Sequence, residues 1–322
     1  MTSADGLPAQ VLTVSGLLRA TELGVTDSHD HLALRSPALA GQEFDDADKA
    51  IEEVRDAQTG GLQSIVEVTP IGLGRNPALM RRVADDTGVN VIAATGYHRD
   101  AHYPAGHWVY DASDDVLRER MVTDIERGMH PADWADAALP LDEARAGVIK
   151  MGASYQRVSK QERRRLEAAC QAALQTGVAI LCHTEVGTAA DEIIDICEAA
   201  GLPADRLILA HTDRNPDPEL HVDLCARGVY LEYDTAGRIK YRPDSDLLRL
   251  ISEVVGPGFG DRILLGLDLG RRDYFRAYDG GPGMRYLLGT FAPRLERRVG
   301  AEQVRRILVD NPARAFALAP PQ

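Results

Sequence analysis

Residues 178–211, VAILCHTEVGTAADEIIDICEAAGLPADRLILAH, hold two short apolar runs separated by a helical pattern, and each run ends in a histidine, His183 and His211. Apolar runs of this length suit strands buried on both faces, as in a parallel sheet, and the helix between them provides the crossover that parallel neighbours require. The same unit repeats outward. Strand-like runs occupy Gly24–Ser28, Leu62–Thr69, Val89–Gly96, Gly147–Met151, Val178–His183, Leu207–His211, Val229–Tyr233 and Ile263–Asp268. Helical patterns fall between them at Asp45–Thr59, Pro77–Thr87, Ser113–Gly128, Ser159–Thr176, Ala189–Ala200, Pro218–Ala226 and Ser245–Val255. Eight strands alternating with helices, with no Gly/Ser-rich linker, predict one α/β domain over residues 1–322, a (β/α)₈ TIM barrel.

Local signals refine this pattern. Ser159–Glu162 and Thr188–Asp191 read as helix starts with an acidic residue three positions after a Ser/Thr cap. Gly177 and Gly228 sit where glycines stop helices. Val11–Leu18 predicts a short hairpin closing the bottom of the barrel. A final helix is expected from about Gly300 to Leu308, with Asn311–Pro312 capping a last short helix that ends near Leu318.

Hydrophobic residues make up 44% of the 322 residues and charged residues 26%, enough apolar content for a large core. The formal charge of −13 gives no basic excess to neutralise phosphates, so nucleic acid is a poor partner, whereas a small anion would need a local cluster of positive charge. The N-terminus lacks a basic segment followed by an apolar run, and no stretch approaches 18 uninterrupted apolar residues. The expectation is a cytoplasmic protein without a membrane partner. Cys170, Cys182, Cys197 and Cys225 form no CxxC pair and read as reduced core residues.

The histidines carry the chemistry. His29 and His31 follow the first strand, His183 the fifth and His211 the sixth, and barrel enzymes place their chemistry at that C-terminal face. A strand has period two, so His29 and His31 point to the same side. Such a pair alone is equally explained by solvated or hydrogen-bonded histidines. Lys150, at the end of the fourth strand in GVIKMG, sits among apolar neighbours where an unpaired ammonium is costly. It could snorkel to the mouth or pair with an acid. Beside four histidines and Asp268 in LLGLD, the sharper reading is a lysine carbamate bridging two divalent cations. Asp268 alone could equally cap the segment that follows it. Together, six candidate ligands at five strand ends point to a binuclear centre: His29, His31 and Asp268 on the more buried ion, His183 and His211 on the outer one, Lys150 shared. Zinc is the leading metal, with Mn, Co and Fe also suited to nitrogen and oxygen donors. The expected chemistry is attack by a metal-bridging hydroxide, with Asp268 accepting its proton and returning it to the leaving oxygen.

The motifs GVTDSHDHL, GVIKMG, ILCHTEVGT, LAHTDRNPD, LLGLDLGRRDYFRAYDGGPGMRYLL and DNPARAFAL together resemble the phosphotriesterase-related branch of the amidohydrolase superfamily over nearly the whole chain. The resemblance implies a (β/α)₈ barrel, carries the metal-ligand roles onto His29, His31, Lys150, His183, His211 and Asp268, and brings in both organophosphate triesterases and lactonases. Within the family the chain is similar to lactonases of phosphorylated sugars, which implies a phosphate site at Lys240, Arg271 and Tyr274, with Arg272 able to share it. These could equally be solvated loop residues. Tyr97, followed by His98, could contact substrate or pack with its hydroxyl at the rim. Asp213 and Glu185 could orient ligand imidazoles. Gly280, Gly281 and Gly283 lack the context of a nucleotide loop. The leading function is opening of a phosphorylated or anionic sugar lactone. Alternatives are a phosphotriesterase, an amide hydrolase and a non-catalytic metal-binding protein, and a homodimer is the default assembly.

Overall fold

The computed structural model describes residues 9–131 and 140–320. The first eight residues of the N-terminal stretch, expected to lack a basic segment followed by an apolar run, lie outside the described residues. An antiparallel hairpin, β1 (Gln10–Thr13) and β2 (Gly16–Arg19), precedes eight parallel strands: β3 (Thr26–Asp30), β4 (Ser64–Glu67), β5 (Asn90–Gly96), β6 (Ala146–Ala153), β7 (Ala179–Thr184), β8 (Leu207–Ala210), β9 (Tyr230–Tyr233) and β10 (Ile263–Leu265). Each strand pairs with its sequence neighbours in the order of the chain. The backbone N–H groups of Leu267 and Asp268 donate to His29 O at 3.1 and 2.8 Å, linking the last strand to the first. The fold is the expected (β/α)₈ barrel with an N-terminal hairpin.

Period two sorts the strand residues cleanly. Ile92 and Ala94, Leu181, Ile208 and Ala210, and Leu264 join one buried cluster inside the barrel, whereas Val91 and Ala93, Ile180 and Cys182, Leu207 and Leu209, and Ile263 and Leu265 pack outward into a second. The inner cluster is plugged from below by Val11, Ala20 and Leu23 of the hairpin region and by Phe316. Leu318 N–H donates to Gln10 O at 2.8 Å, fastening the C-terminal segment beside the hairpin.

The helices α1 (Ala47–Gln58), α2 (Pro77–Thr87), α3 (Asp114–Glu126), α4 (Lys160–Thr176), α5 (Ala190–Ala199), α6 (Pro218–Ala226) and α7 (Asp244–Val255) surround the strands within a residue or two of their expected limits. Ser159 and Glu162 form a complete capping box on α4, and Gly177 ends that helix with φ 79°. The second expected cap fails: α5 starts from Ala189 at φ 60°, while Thr188 Oγ1 donates to Glu185 O at 2.7 Å and accepts from Gln156 N–H at 2.8 Å. Thr188 is recruited by the loop instead. The C-terminal region also differs. A wide-turn segment at Leu287–Phe291 leads into α8 (Ala292–Val299), which the sequence reading missed because Gly289 and Pro293 look like helix breakers. After α9 (Ala301–Arg305) the chain passes through another wide turn into α10 (Asn311–Ala315). Asn311 does not cap it: its side-chain amide is buried and donates to Gly260 O at 2.9 Å and Ile263 O at 2.7 Å.

All four cysteines are buried and unpaired, as expected. Among the described residues, no helix is long and apolar enough to cross a membrane.

Two substitutions test these helix starts. Ser159→Ala should lower unfolding free energy by about 1 kcal/mol through loss of the cap. Ala189→Gly should raise it by roughly 0.5–1 kcal/mol, since glycine adopts the left-handed conformation without the steric cost that alanine bears. Urea denaturation measures both.

Candidate metal centre and its mouth

His29 lies within β3 and His31 just beyond it, two residues apart and therefore on the same side. Each ring is fixed from behind. His29 Nδ1 pairs with Glu232 Oε2 at 2.6 Å, and His31 Nδ1 pairs with Thr69 Oγ1 at 2.7 Å. Their Nε2 atoms are left facing Asp268 Oδ1 at 3.6 and 3.4 Å. A neutral imidazole held at one nitrogen presents the lone pair of the other, which is the arrangement a metal ligand requires.

His183 follows the inward parity of Leu181 on β7, and its Nε2 pairs with Glu185 Oε2 at 2.7 Å, leaving Nδ1 as the available donor. His211 arrives differently. β8 stops at Ala210, and His211 takes a left-handed backbone with φ 64°. Its N–H donates to Asp234 Oδ2 at 2.9 Å and its Nδ1 pairs with Asp234 Oδ1 at 2.8 Å. The ring reaches within 4.9 Å of His29 and 4.5 Å of His183, measured between centroids. Burial lowers the pKa of all four imidazoles, that of His183 to about 4, so each is an unprotonated donor at neutral pH.

Lys150 is 2% exposed and continues the inward face of β6, with Nζ 3.3 Å from His29 Nε2. Burial lowers its pKa, while Glu232, Asp268 and Asp234 pull it back up. Asp268 follows β10 at φ 49°. Burial alone would raise its pKa, but the guanidinium charge of Arg238 and the polar contacts of the surrounding imidazoles hold the carboxyl well below the usual range. Asp268 Oδ2 accepts from Arg214 Nη2 at 2.6 Å and Arg238 Nη1 at 3.0 Å.

His29, His31 and Asp268 each offer a ligand atom, all within 4.8 Å of one another, and His29, His211 and Asp234 form a second such set. His183 belongs to neither set. The donors, oxygen and neutral nitrogen, suit a divalent cation. Glu232 Oε1 is buried without a hydrogen-bond partner, an orphaned acceptor that a nearby cation would satisfy.

Above these donors lies a cavity of about 150 Å³ lined by the six expected ligands together with Lys240, Arg271 and Tyr274. Lys240 Nζ donates to Tyr274 OH at 2.5 Å. Two expected residues stand elsewhere. Arg272 does not line the cavity; its guanidinium lies 5.2 Å from the Tyr278 ring centroid. Tyr97 is completely buried, donates its hydroxyl to Leu117 O at 3.1 Å and packs edge-on to Trp108, so it is not placed for catalysis. Its neighbour His98 reaches the cavity instead, its ring 4.7 Å from that of His183. Parity explains the exchange, since His98 and not Tyr97 continues the inward series Ile92, Ala94, Gly96. Glu185 does orient an imidazole, whereas Asp213 accepts from Thr235 N–H at 2.9 Å and so fixes the neighbouring loop.

Glu232, Asp234, Arg214 and Arg238 were not singled out in the sequence. The two acids were legible, because they follow Tyr230 at period two in a strand otherwise apolar, YLEYD. The arginines lie in loops and carried no comparable signal.

The sequence matches the phosphotriesterase family over residues 9–316. It is 31% identical to a phospho-furanose lactonase of Mycoplasmopsis synoviae over 95% of this chain and 91% of that protein. Among solved structures, a lactonase from Listeria monocytogenes aligns with TM-score 0.89 and 28% identity, covering 97% of this chain and 100% of that one. A phosphotriesterase homology protein from Escherichia coli, complexed with phosphate in its active site, aligns with TM-score 0.83 and 30% identity over 92% and 99% of the two chains. With its barrel, its strand-end histidines and this match along almost its entire length, the chain belongs to the phosphotriesterase family.

Proposed function

We propose that this protein is a metal-dependent lactonase that opens a phosphorylated or otherwise anionic furanose lactone to its hydroxy acid. The observation that carries the reading is a single small cavity with buried imidazole and carboxylate donors at its base and Lys240, Arg271 and Tyr274 at its mouth. At about 150 Å³ it falls below the roughly 300–1,000 Å³ of sites for drug-sized ligands and suits one small ring with a substituent. The M. synoviae relative named as a phospho-furanose lactonase supports the same substrate class.

In this reading His29, His31 and Asp268 would hold one divalent cation and His183 and His211 a second, and Lys150, as a carbamate, would add an anionic oxygen donor to the centre. Zinc, Mn, Co or Fe would supply Lewis acidity and a lowered pKa for water. Lys150 suits carbamylation because burial favours its neutral amine, the form that takes up carbon dioxide. Asp268 Oδ1 takes the proton of the attacking water, and Arg214 and Arg238 fix Oδ2 so that Oδ1 stays turned to the histidines. As the acyl carbon–oxygen bond of the ring breaks, the leaving ring oxygen recovers that proton. The depressed pKa of Asp268 favours its release. Lys240 and Arg271 hold the phosphate as a point charge and a planar fork, and Tyr274 adds a hydroxyl. Organophosphate triesters fit less well, since Leu34, Leu39 and Leu73 are the only aliphatic side chains among the cavity's described lining residues.

Chelator treatment should abolish hydrolysis, and two equivalents of divalent metal should restore it; full recovery with one equivalent would overturn the two-cation centre. Asp268→Asn should reduce turnover roughly 10²–10⁴-fold, the scale of a lost general base, while retaining part of the metal. Metal content measured beside turnover separates loss of chemistry from loss of cation. Wild-type protein should favour a phosphorylated furanose lactone over its dephosphorylated form, and Arg271→Ala should shrink that ratio roughly 10–100-fold, as expected for a charge-assisted hydrogen bond. A panel that also holds an aryl phosphotriester and a small anionic amide decides the substrate class. Equal kcat/KM for the two lactones would reject the phosphate reading, and a dominant triester or amide rate would replace it.

A further inference from the structure

The chain has only four lysines among its 36 basic residues, Lys49, Lys150, Lys160 and Lys240, and two of the four line the cavity. Where arginine is the rule, a lysine at the mouth is a specific choice, but its ammonium rides on a flexible stem. Lys240 is exposed, and among the described residues no carboxylate forms an ion pair with it. Its contacts are Tyr274 OH, the Tyr274 ring at 5.3 Å and the Tyr241 ring at 5.0 Å.

Tyr241 is the more unusual of the two rings. It is 40% exposed, lines the cavity, and sits at the end of a tight turn in which Tyr241 N–H donates to Arg238 O at 3.0 Å. Three cations lie over its ring, Arg214 at 4.8 Å, Lys240 at 5.0 Å and Arg238 at 5.6 Å, more than over any other ring among the described residues. Arg214 and Arg238 are neutralised by Asp268 and Asp234. Lys240 is not, so its charge remains to be satisfied by a ligand. An aromatic face attracts cations through its quadrupole, so the ring can hold like charges near one another that would otherwise move apart.

We propose that Tyr241 determines specificity for the anionic substituent by holding Lys240 over the mouth beside the two buried arginines. The inference rests on the phosphorylated-lactone reading and adds to it a residue that acts through Lys240, a positioning residue. Without the Tyr241 ring, Lys240 keeps only its contacts with Tyr274, and more of its ordering must be supplied on each binding event.

The test uses full-length, metal-loaded protein and two readouts. Tyr241→Leu should raise KM for a phosphorylated furanose lactone about five- to tenfold while kcat changes less than about threefold, as expected for loss of a partly exposed cation–π contact and its preorganisation. Tyr241→Phe, which keeps the ring, should stay near wild type. The second readout needs no substrate: amine acetylation followed by peptide mass spectrometry, with exposed Lys160 as internal reference. Lys240 should react several-fold faster in Tyr241→Leu and at the wild-type rate in Tyr241→Phe. A Lys240 rate unaffected by Tyr241→Leu, or a fall in kcat at constant KM, overturns the role assigned to Tyr241. Wild-type protein that does not distinguish phosphorylated from dephosphorylated lactone sinks the substrate reading instead, and the acetylation rates then still decide whether Tyr241 holds Lys240. Because the ring is exposed and in a loop, folding should survive, and thermal unfolding of each variant checks this.

Discussion

His29 O accepts hydrogen bonds from both Leu267 and Asp268. These bonds join the first and last strands of the barrel, and they also bring two candidate ligands, 239 residues apart in the chain, to within 3.6 Å of each other. Closure of the sheet and assembly of the site are thus one event. Gly266, packed against His29, has no room for a side chain: a Cβ there would lie 2.6 Å from His29 Cβ and 2.7 Å from its backbone nitrogen. The close approach of the two segments demands glycine at that position.

Around this junction the barrel buries an unusual density of charge. Glu232, Asp234 and Asp268 face Lys150, Arg214 and Arg238, with four neutral imidazoles among them. Each charge is tolerated because it is paired or hydrogen-bonded, and removal of one partner would strand another. The arrangement costs stability for the sake of geometry. Histidines fixed at one nitrogen and an aspartate fixed at one oxygen have little freedom left, so their remaining lone pairs converge with little reorganisation.

The mouth follows a different logic. Arg214 and Arg238 are committed to carboxylates, whereas Lys240 and Arg271 retain charge that the base of the site does not consume; among the described residues the carboxylate paired with Arg271 is Asp273, 3.9 Å from its Nε. In a chain of net charge −13, this is a local concentration of positive charge. In the proposed function, chemistry and selectivity are carried by separate layers, strand ends below and loops above, as the barrel architecture allows.

Much of this was legible in the sequence because strands impose period two. Once the runs were read as parallel strands, His29, His31, Lys150 and His183 had to face inward together, and the hairpin and most helix limits followed from local pattern. The same rule, applied further, would have preferred His98 to Tyr97 and noticed Glu232 and Asp234. His211 was different: by parity it belongs on the outer face with Leu207 and Leu209, and only a left-handed backbone, held by two hydrogen bonds to Asp234, turns it in. The pairing of Asp268 with Arg214 and Arg238, the stacking of three cations on Tyr241 and the departure of Arg272 to Tyr278 also lay beyond the sequence. Periodicity is a property of regular backbone and can be read residue by residue, whereas loop side chains find their partners only after the barrel has closed and brought distant segments together.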